Sequence, residues 1–252
     1  MNIGFLGSGH ITSSIVEGIF KSKLKIKKIY ISPRNKLISK KISKRFKKVT
    51  IAINNQQVID RSNWVFLAVT PQVGSKILSK LKFSKNKKII SLISTISLEK
   101  LKKYTKNKNI SRVIPLPFIG MRKGPIIICP KNNQLKNFFK HLGKVIELKN
   151  EKTSKAFWST SSFMASFYFL LNQTSNWLTS KGIKRKDAED YTRELFLALS
   201  EDAINKNKNS LKQLVLESQT PGGTNAYVLN QLKKKKFYKV QQTVLNSIFK
   251  KF

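Results

Sequence analysis

The chain has 252 residues, 50 Lys+Arg against 12 Asp+Glu, a formal net charge of +38 and the single Cys129. With 40% hydrophobic and 10% aromatic residues, it is a globular chain of one large or two modest domains. An intrinsically disordered protein and a disulfide-stapled secreted fold are excluded. No apolar run reaches the roughly 18 residues that span a bilayer, and the first cation, Lys21, follows Glu17, so no secretory leader is expected and the reading is a soluble, cytoplasmic protein without a membrane partner.

Short β-rich runs occupy residues 1–6, 26–31, 49–51, 64–69, 89–93, 111–114, 126–129 and 145–147. Helical patterns lie between several of them, such as 11–20 and 36–46, where Leu37, Ile38, Ile42 and Phe46 are spaced for one face. Strands alternating with helices predict βαβ units, hence a parallel sheet covered on both faces. After the polar stretch 149–155 the pattern is helical over 156–178, 186–205, 210–216, 225–234 and 238–249, with no strand. The expectation is an α/β chain: a Rossmann-type dinucleotide-binding domain at 1–150 and an all-helical domain at 151–252.

The first run leads directly into Gly7-Ser8-Gly9-His10-Ile11-Thr12 and then a helix. In a strand–turn–helix context, Gly7 permits the tight turn and Gly9 lets the backbone approach a pyrophosphate. The helix N-terminus adds free N–H groups and a positive dipole end. The third motif position normally holds Gly or Ala, and Thr12 is larger. An NAD site expects an acidic residue about 20 residues beyond the glycines, yet no Asp or Glu lies between Lys21 and Ile59. Ser32 and Arg34, after the second run, can instead bind a 2′-phosphate, which favours NADPH over NADH. The alternative is that Arg34 is one more cation of a very basic surface. Near the other end, Gln219-Thr220-Pro221-Gly222-Gly223-Thr224-Asn225 precedes a helix. The loop is either a nest for a small anion such as a carboxylate, or an ordinary helix cap by Thr224 or Asn225.

Four segments together resemble the pyrroline-5-carboxylate reductase family over nearly the whole chain. They are Ile3 to Ile11, Phe66-Leu67-Ala68-Val69-Thr70-Pro71-Gln72, Arg112-Val113-Ile114-Pro115 and Thr220-Pro221-Gly222-Gly223-Thr224. The resemblance implies NAD(P)H-dependent reduction of the cyclic imine 1-pyrroline-5-carboxylate to proline. It also implies a C-terminal helical domain that dimerises, often into larger rings. The cofactor residues it implies are Gly7, Ser8, Gly9, His10, Ile11, Ser32, Arg34, Ala68, Val69, Thr70 and Pro71. The imino-acid substrate falls to Thr220, Gly222, Gly223, Thr224 and Asn225, with Thr224 and Asn225 beside the reacting imine. No metal is required.

Departures concentrate on the substrate side. Thr70 stands where the family has Lys, Ser94-Thr95 replaces Ala-Gly, and Leu116-Pro117-Phe118 replaces Asn-Thr-Pro. Ser161 to Ser166 replaces a glycine-rich segment, and Asn225 replaces a second Thr. Phe118, Phe163 and Met164 either narrow the pocket or pack in the core. A reductase of another imine or a keto acid, and a non-catalytic dinucleotide-binding protein, are the competing readings. The lysines recur along the whole chain beside abundant Asn and Ile, which reads as a solvated surface rather than a nucleic-acid site. Their field still attracts anionic cofactors and substrates, more strongly at low salt.

Overall fold

The structure is a computed structural model that describes residues 1–93 and 95–251; Ser94 and Phe252 lie outside the described residues. The chain divides into two compact units, Met1–Trp158 and Ser159–Lys251.

In the first unit, strands β1 (Asn2–Leu6), β2 (Lys28–Ile31), β3 (Val49–Ile51), β4 (Trp64–Leu67), β5 (Lys88–Ser91), β6 (Ile110–Ile114), β7 (Pro125–Cys129) and β8 (Lys144–Glu147) form one sheet. Its order is β3-β2-β1-β4-β5-β6-β7-β8. Helices α1 (His10–Lys21), α2 (Lys36–Arg45), α3 (Asn55–Asp60), α4 (Pro71–Ile77), α5 (Leu98–Thr105) and α6 (Asn133–Phe139) connect the strands. The alternation of side chains along each strand builds two cores. Ile3, Phe5, Ile29 and Phe66 join Ile15, Ile19 and Phe139 on one face. Leu6, Val65 and Leu67 join Val58, Leu78 and Leu101 on the other. Gly4 is required by this packing, because a Cβ there would lie 2.7 Å from the Val58 side chain and 2.9 Å from its carbonyl.

The sheet departs from the expected all-parallel arrangement at one place. β6 and β7 pair antiparallel, Arg112 opposite Cys129 and Ile114 opposite Ile127, while every other neighbouring pair is parallel. The cause is connection length. Residues 115–124 hold only a 3-10 turn, Pro117–Met121, and a parallel crossover needs about a dozen residues or more.

After β8, helix α7 (Ser154–Ser161) leads into α8 (Met164–Ser180), α9 (Arg185–Asn205), α10 (Leu211–Glu217), α11 (Thr224–Lys234) and α12 (Phe237–Phe249). The helix expected to run unbroken over 156–178 is thus interrupted at Ser162 and Phe163. There the backbone N–H groups bond three residues back, to Ser159 and Thr160, at 3.1 and 3.2 Å. The run Ser159-Thr160-Ser161-Ser162 supplies hydroxyls that compete with helical backbone bonds. In the second unit only Ser159, Ser175, Ala188 and Thr192 are buried among the described residues. Phe167, Tyr168, Phe169, Trp177, Tyr191 and Leu199 are exposed. So large an apolar surface is more than the solvated face of a monomer usually carries. No described helix is long and apolar enough to cross a membrane.

Candidate active site

The site grows from the end of β1. Gly7 turns the chain at φ +114°, a conformation that L side chains rarely adopt, and a Cβ there would overlap the Ala68 carbonyl oxygen and lie 2.7 Å from its carbon. Gly9 is the N-cap of α1 without a side-chain cap, and a Cβ built on it meets nothing within 4 Å. Backbone and helix N-terminus are therefore open to an approaching ligand. Thr12, the oversized third motif residue, is fully buried and donates its hydroxyl to the Gly7 carbonyl at 2.9 Å. Its extra bulk ties the loop shut from behind. Ser8 is 3% exposed, and its Oγ has no hydrogen-bond partner among the described residues. A buried hydroxyl left unsatisfied beside a cavity fits a polar ligand atom.

Two cavities open over this loop and share Gly7, Arg34, Val69 and Val73. The larger, about 660 Å³, is lined by the glycine loop, by Arg34, Asn35, Lys36 and Leu37, and by Ala68, Val69, Thr70 and Val73. The smaller, about 400 Å³, adds Ser32, Asn55, Gln72, Lys76 and Ile77. Ser32 is 2% exposed and donates to Asn55 Oδ1 at 2.8 Å. The Asn35 side chain caps α2 by accepting from the Ile38 N–H at 3.2 Å. No carboxylate lines either cavity. The open Gly9 face, the orphaned Ser8 hydroxyl and the cations together fit a dinucleotide pyrophosphate carrying a further phosphate.

Of the cofactor residues expected from sequence, Gly7, Ser8, Gly9, Ser32, Arg34, Ala68, Val69 and Thr70 line these cavities together. His10 and Ile11 form the first turn of α1, and Pro71 the first position of α4, beside the cavity walls without lining them. Sequence reasoning missed Asn35, Lys36, Leu37, Asn55, Gln72, Val73, Lys76 and Ile77. The helix start at Thr70-Pro71 carried a signal, because the residues at 73, 76 and 77 follow on one helical face.

The second loop lies in the other unit. Gly222 adopts φ +71° and Gly223 caps α11, its N–H bonded to the Thr220 carbonyl at 2.9 Å. Asn225 donates its amide to the Ser218 carbonyl at 3.1 Å, closing the elbow from outside and keeping one further N–H to donate. Thr220, Gly222, Thr224 and Asn225 are exposed and Gly223 half-buried. Thr220, Gly222, Gly223, Thr224 and Asn225 are thus gathered in one turn.

A third cluster braces the first unit. Arg112, 2% exposed, pairs with Glu151 at 2.7 Å and donates to the Ile96 carbonyl, while Glu151 also accepts the Leu98 N–H at 3.0 Å. Burial lowers the Arg112 pKa, and the Glu151 carboxylate opposes that shift.

A doubly wound sheet with a glycine turn, an uncapped helix start and cation-lined cavities at the strand ends defines a dinucleotide-dependent oxidoreductase. Residues 2–95 match a family model described as NADP oxidoreductase, coenzyme F420-dependent, and residues 151–252 one described as pyrroline-5-carboxylate reductase dimerisation. The chain is 22% identical to pyrroline-5-carboxylate reductase of Pisum sativum over 98% of its own length and 92% of that protein's. In fold it is similar to the 1-pyrroline-5-carboxylate reductase of Streptococcus pyogenes, with a TM-score of 0.85, 20% identity and coverage of 100% and 97% of the two chains. The pyrroline carboxylate reductase of Plasmodium falciparum, solved with NADP bound, gives 0.83, 19%, 100% and 96%. Along nearly its whole length the chain is thus similar to pyrroline-5-carboxylate reductases, and it is an NAD(P)-dependent oxidoreductase.

Proposed function

We propose that the protein reduces 1-pyrroline-5-carboxylate to L-proline with NADPH as hydride donor. The observation that supports this best is the pairing, on one chain, of a carboxylate-free, cation-lined dinucleotide cavity with a Pro221-Gly222-Gly223-Thr224 elbow. When bound, the cofactor supplies the hydride. Gly7, Ser8 and Gly9 hold the pyrophosphate by backbone N–H groups and the Ser8 hydroxyl, with His10 and Ile11 presenting the dipole end of α1. Arg34 would bind the 2′-phosphate beside Ser32, whose hydroxyl orients the Asn55 amide, and Ala68, Val69 and Thr70 would form the wall against the cofactor, with Pro71 starting the helix behind it. Thr220, Gly222, Gly223 and Thr224 hold the substrate carboxylate. The free Asn225 N–H and the Thr224 hydroxyl would steady the imine nitrogen, which would take a proton from water as the adjacent carbon accepts hydride. Positioning and electrostatics suffice for this chemistry. The exposed aromatic surface of the second unit forms a homodimer interface, and light scattering on the purified protein should give twice the chain mass.

One observation favours a second reading, a reductase of another imine or of a keto acid. Asn225 spends one of its two N–H groups on Ser218, so its reach toward substrate differs from that of a threonine. NADPH oxidation assayed with 1-pyrroline-5-carboxylate beside a panel of cyclic imines and keto acids decides between them. Turnover fastest on another substrate would replace the proposal, and none on any substrate would leave a dinucleotide-binding protein.

A further inference from the structure

We propose that Lys76, on α4, selects NADPH over NADH by gripping the 2′-phosphate together with Arg34. The inference rests on the cofactor reading above and adds to it a residue that no motif assigns. Arg34 follows β2, whereas Lys76 is contributed by a separate helix to the same smaller cavity. That cavity has two characters. Val69, Val73 and Ile77, four residues apart, offer an apolar strip suited to the face of a purine. Ser32, Arg34, Asn55, Gln72 and Lys76 form its polar side.

Neither cation is engaged elsewhere, because Arg34 and Lys76 make no ion pair among the described residues. Two like charges facing one cavity without a carboxylate repel each other. A dianionic phosphate bound there neutralises both, and a ribose 2′-hydroxyl neutralises neither. Asn55 already accepts from Ser32, which fixes the polar side of the cavity. Arg34 and Lys76 are both exposed, so their long side chains are free to close on a ligand. Lys76 also lies in the last turn of α4, where a cation complements the helix dipole. That structural role would alter thermal stability and leave the choice between cofactors unchanged.

The test titrates the full-length protein with NADPH and with NADH at fixed ionic strength, for wild type, Lys76→Gln, Lys76→Arg and Arg34→Ala. Loss of one charge-assisted contact should raise the NADPH Kd about tenfold in Lys76→Gln, with the NADH Kd within about twofold. Lys76→Arg should restore NADPH affinity. In turnover, KM for NADPH should rise at constant kcat. If Lys76→Gln weakens both cofactors equally, or neither, while wild type prefers NADPH and Arg34→Ala loses that preference, this inference alone is overturned. If wild type binds NADH as tightly as NADPH, the cofactor reading and this inference fall together.

Discussion

Two alanines, placed two residues apart, should separate folding from cofactor binding. At Gly7 the backbone sits at φ +114°, and a methyl group would be driven into the Ala68 carbonyl. Holding an L-residue in that region costs about 1–3 kcal/mol, and forcing a carbon into packed backbone adds about 1–3 kcal/mol. Gly7→Ala should therefore lose about 2–6 kcal/mol of a total of about 5–15 kcal/mol. For a chain of this size that lowers Tm by about 5–20 °C. At Gly9 the backbone is ordinary, φ −83°, and a methyl group meets nothing. Only the poorer N-cap propensity of alanine remains, about 0.5–1 kcal/mol. The same methyl stands where a pyrophosphate would meet the first N–H groups of α1. Losing two charge-assisted bonds, about 3 kcal/mol, weakens NADPH about a hundredfold. Differential scanning fluorimetry and calorimetric titration read the two effects. A Gly9→Ala protein with wild-type NADPH affinity would refute the assignment of this loop to the cofactor. A Gly7→Ala protein melting within a degree of wild type would refute the contact with Ala68.

Gly223→Val places a branched carbon over the Thr220 hydroxyl and 3.1 Å from its carbonyl; turnover should drop at least about a hundredfold with the NADPH Kd unchanged, and persistent turnover would remove the elbow from the substrate site. Glu147 is held below its ordinary value of 4.5, chiefly by its hydrogen bond to Lys136 and also by the Asn132 N–H. A depressed folded pKa contributes stability that is present above 4.5 and lost as pH falls through the lower value. Urea midpoints of wild type and Glu147→Gln should therefore converge below about pH 4.5, and a gap that stays constant down to pH 3 contradicts the ion pair. Glu151→Leu deprives the buried Arg112 of its carboxylate and the Leu98 N–H of its acceptor. It should cost about 3–5 kcal/mol in urea unfolding, much of it regained when Arg112→Met is added; equal losses in single and double variants would count against the pairing.

The central strands were legible because strands buried on both faces read as continuous apolar runs, and the partly exposed edge strands β3 and β8 as short runs of β-branched residues. Each run begins or ends within a few residues of its strand, as with 89–93 against Lys88–Ser91. Strand direction was not legible, since apolar pattern carries no sign. What reverses β7 is the absence of a helix in residues 115–124. Nor did the apolar texture of 156–178 reveal a break, because the serines and threonine before Phe163 satisfy helical spacing while competing for its hydrogen bonds. The glycine turn was visible for the opposite reason, as few residue types tolerate its geometry.

The cavity walls divide along the same line. Arg34 could be read because it follows the second strand, where a motif gives the position a meaning. Asn55 could not, because it comes from a helix that only folding brings to that wall, and for Lys76 the helix start at Thr70-Pro71 gave the helical face but not the neighbours it meets. With 50 cations for 12 anions, most basic side chains lack an acidic partner, so being unpaired distinguishes none of them. Glu17 alone engages both Lys21 and Arg45, and such pairs are the exception on this surface. What separates a recognition cation from a solvating one here is convergence on a shared hollow with a second cation and no carboxylate. That is a property of tertiary structure, and in a chain this basic no count of lysines can replace it.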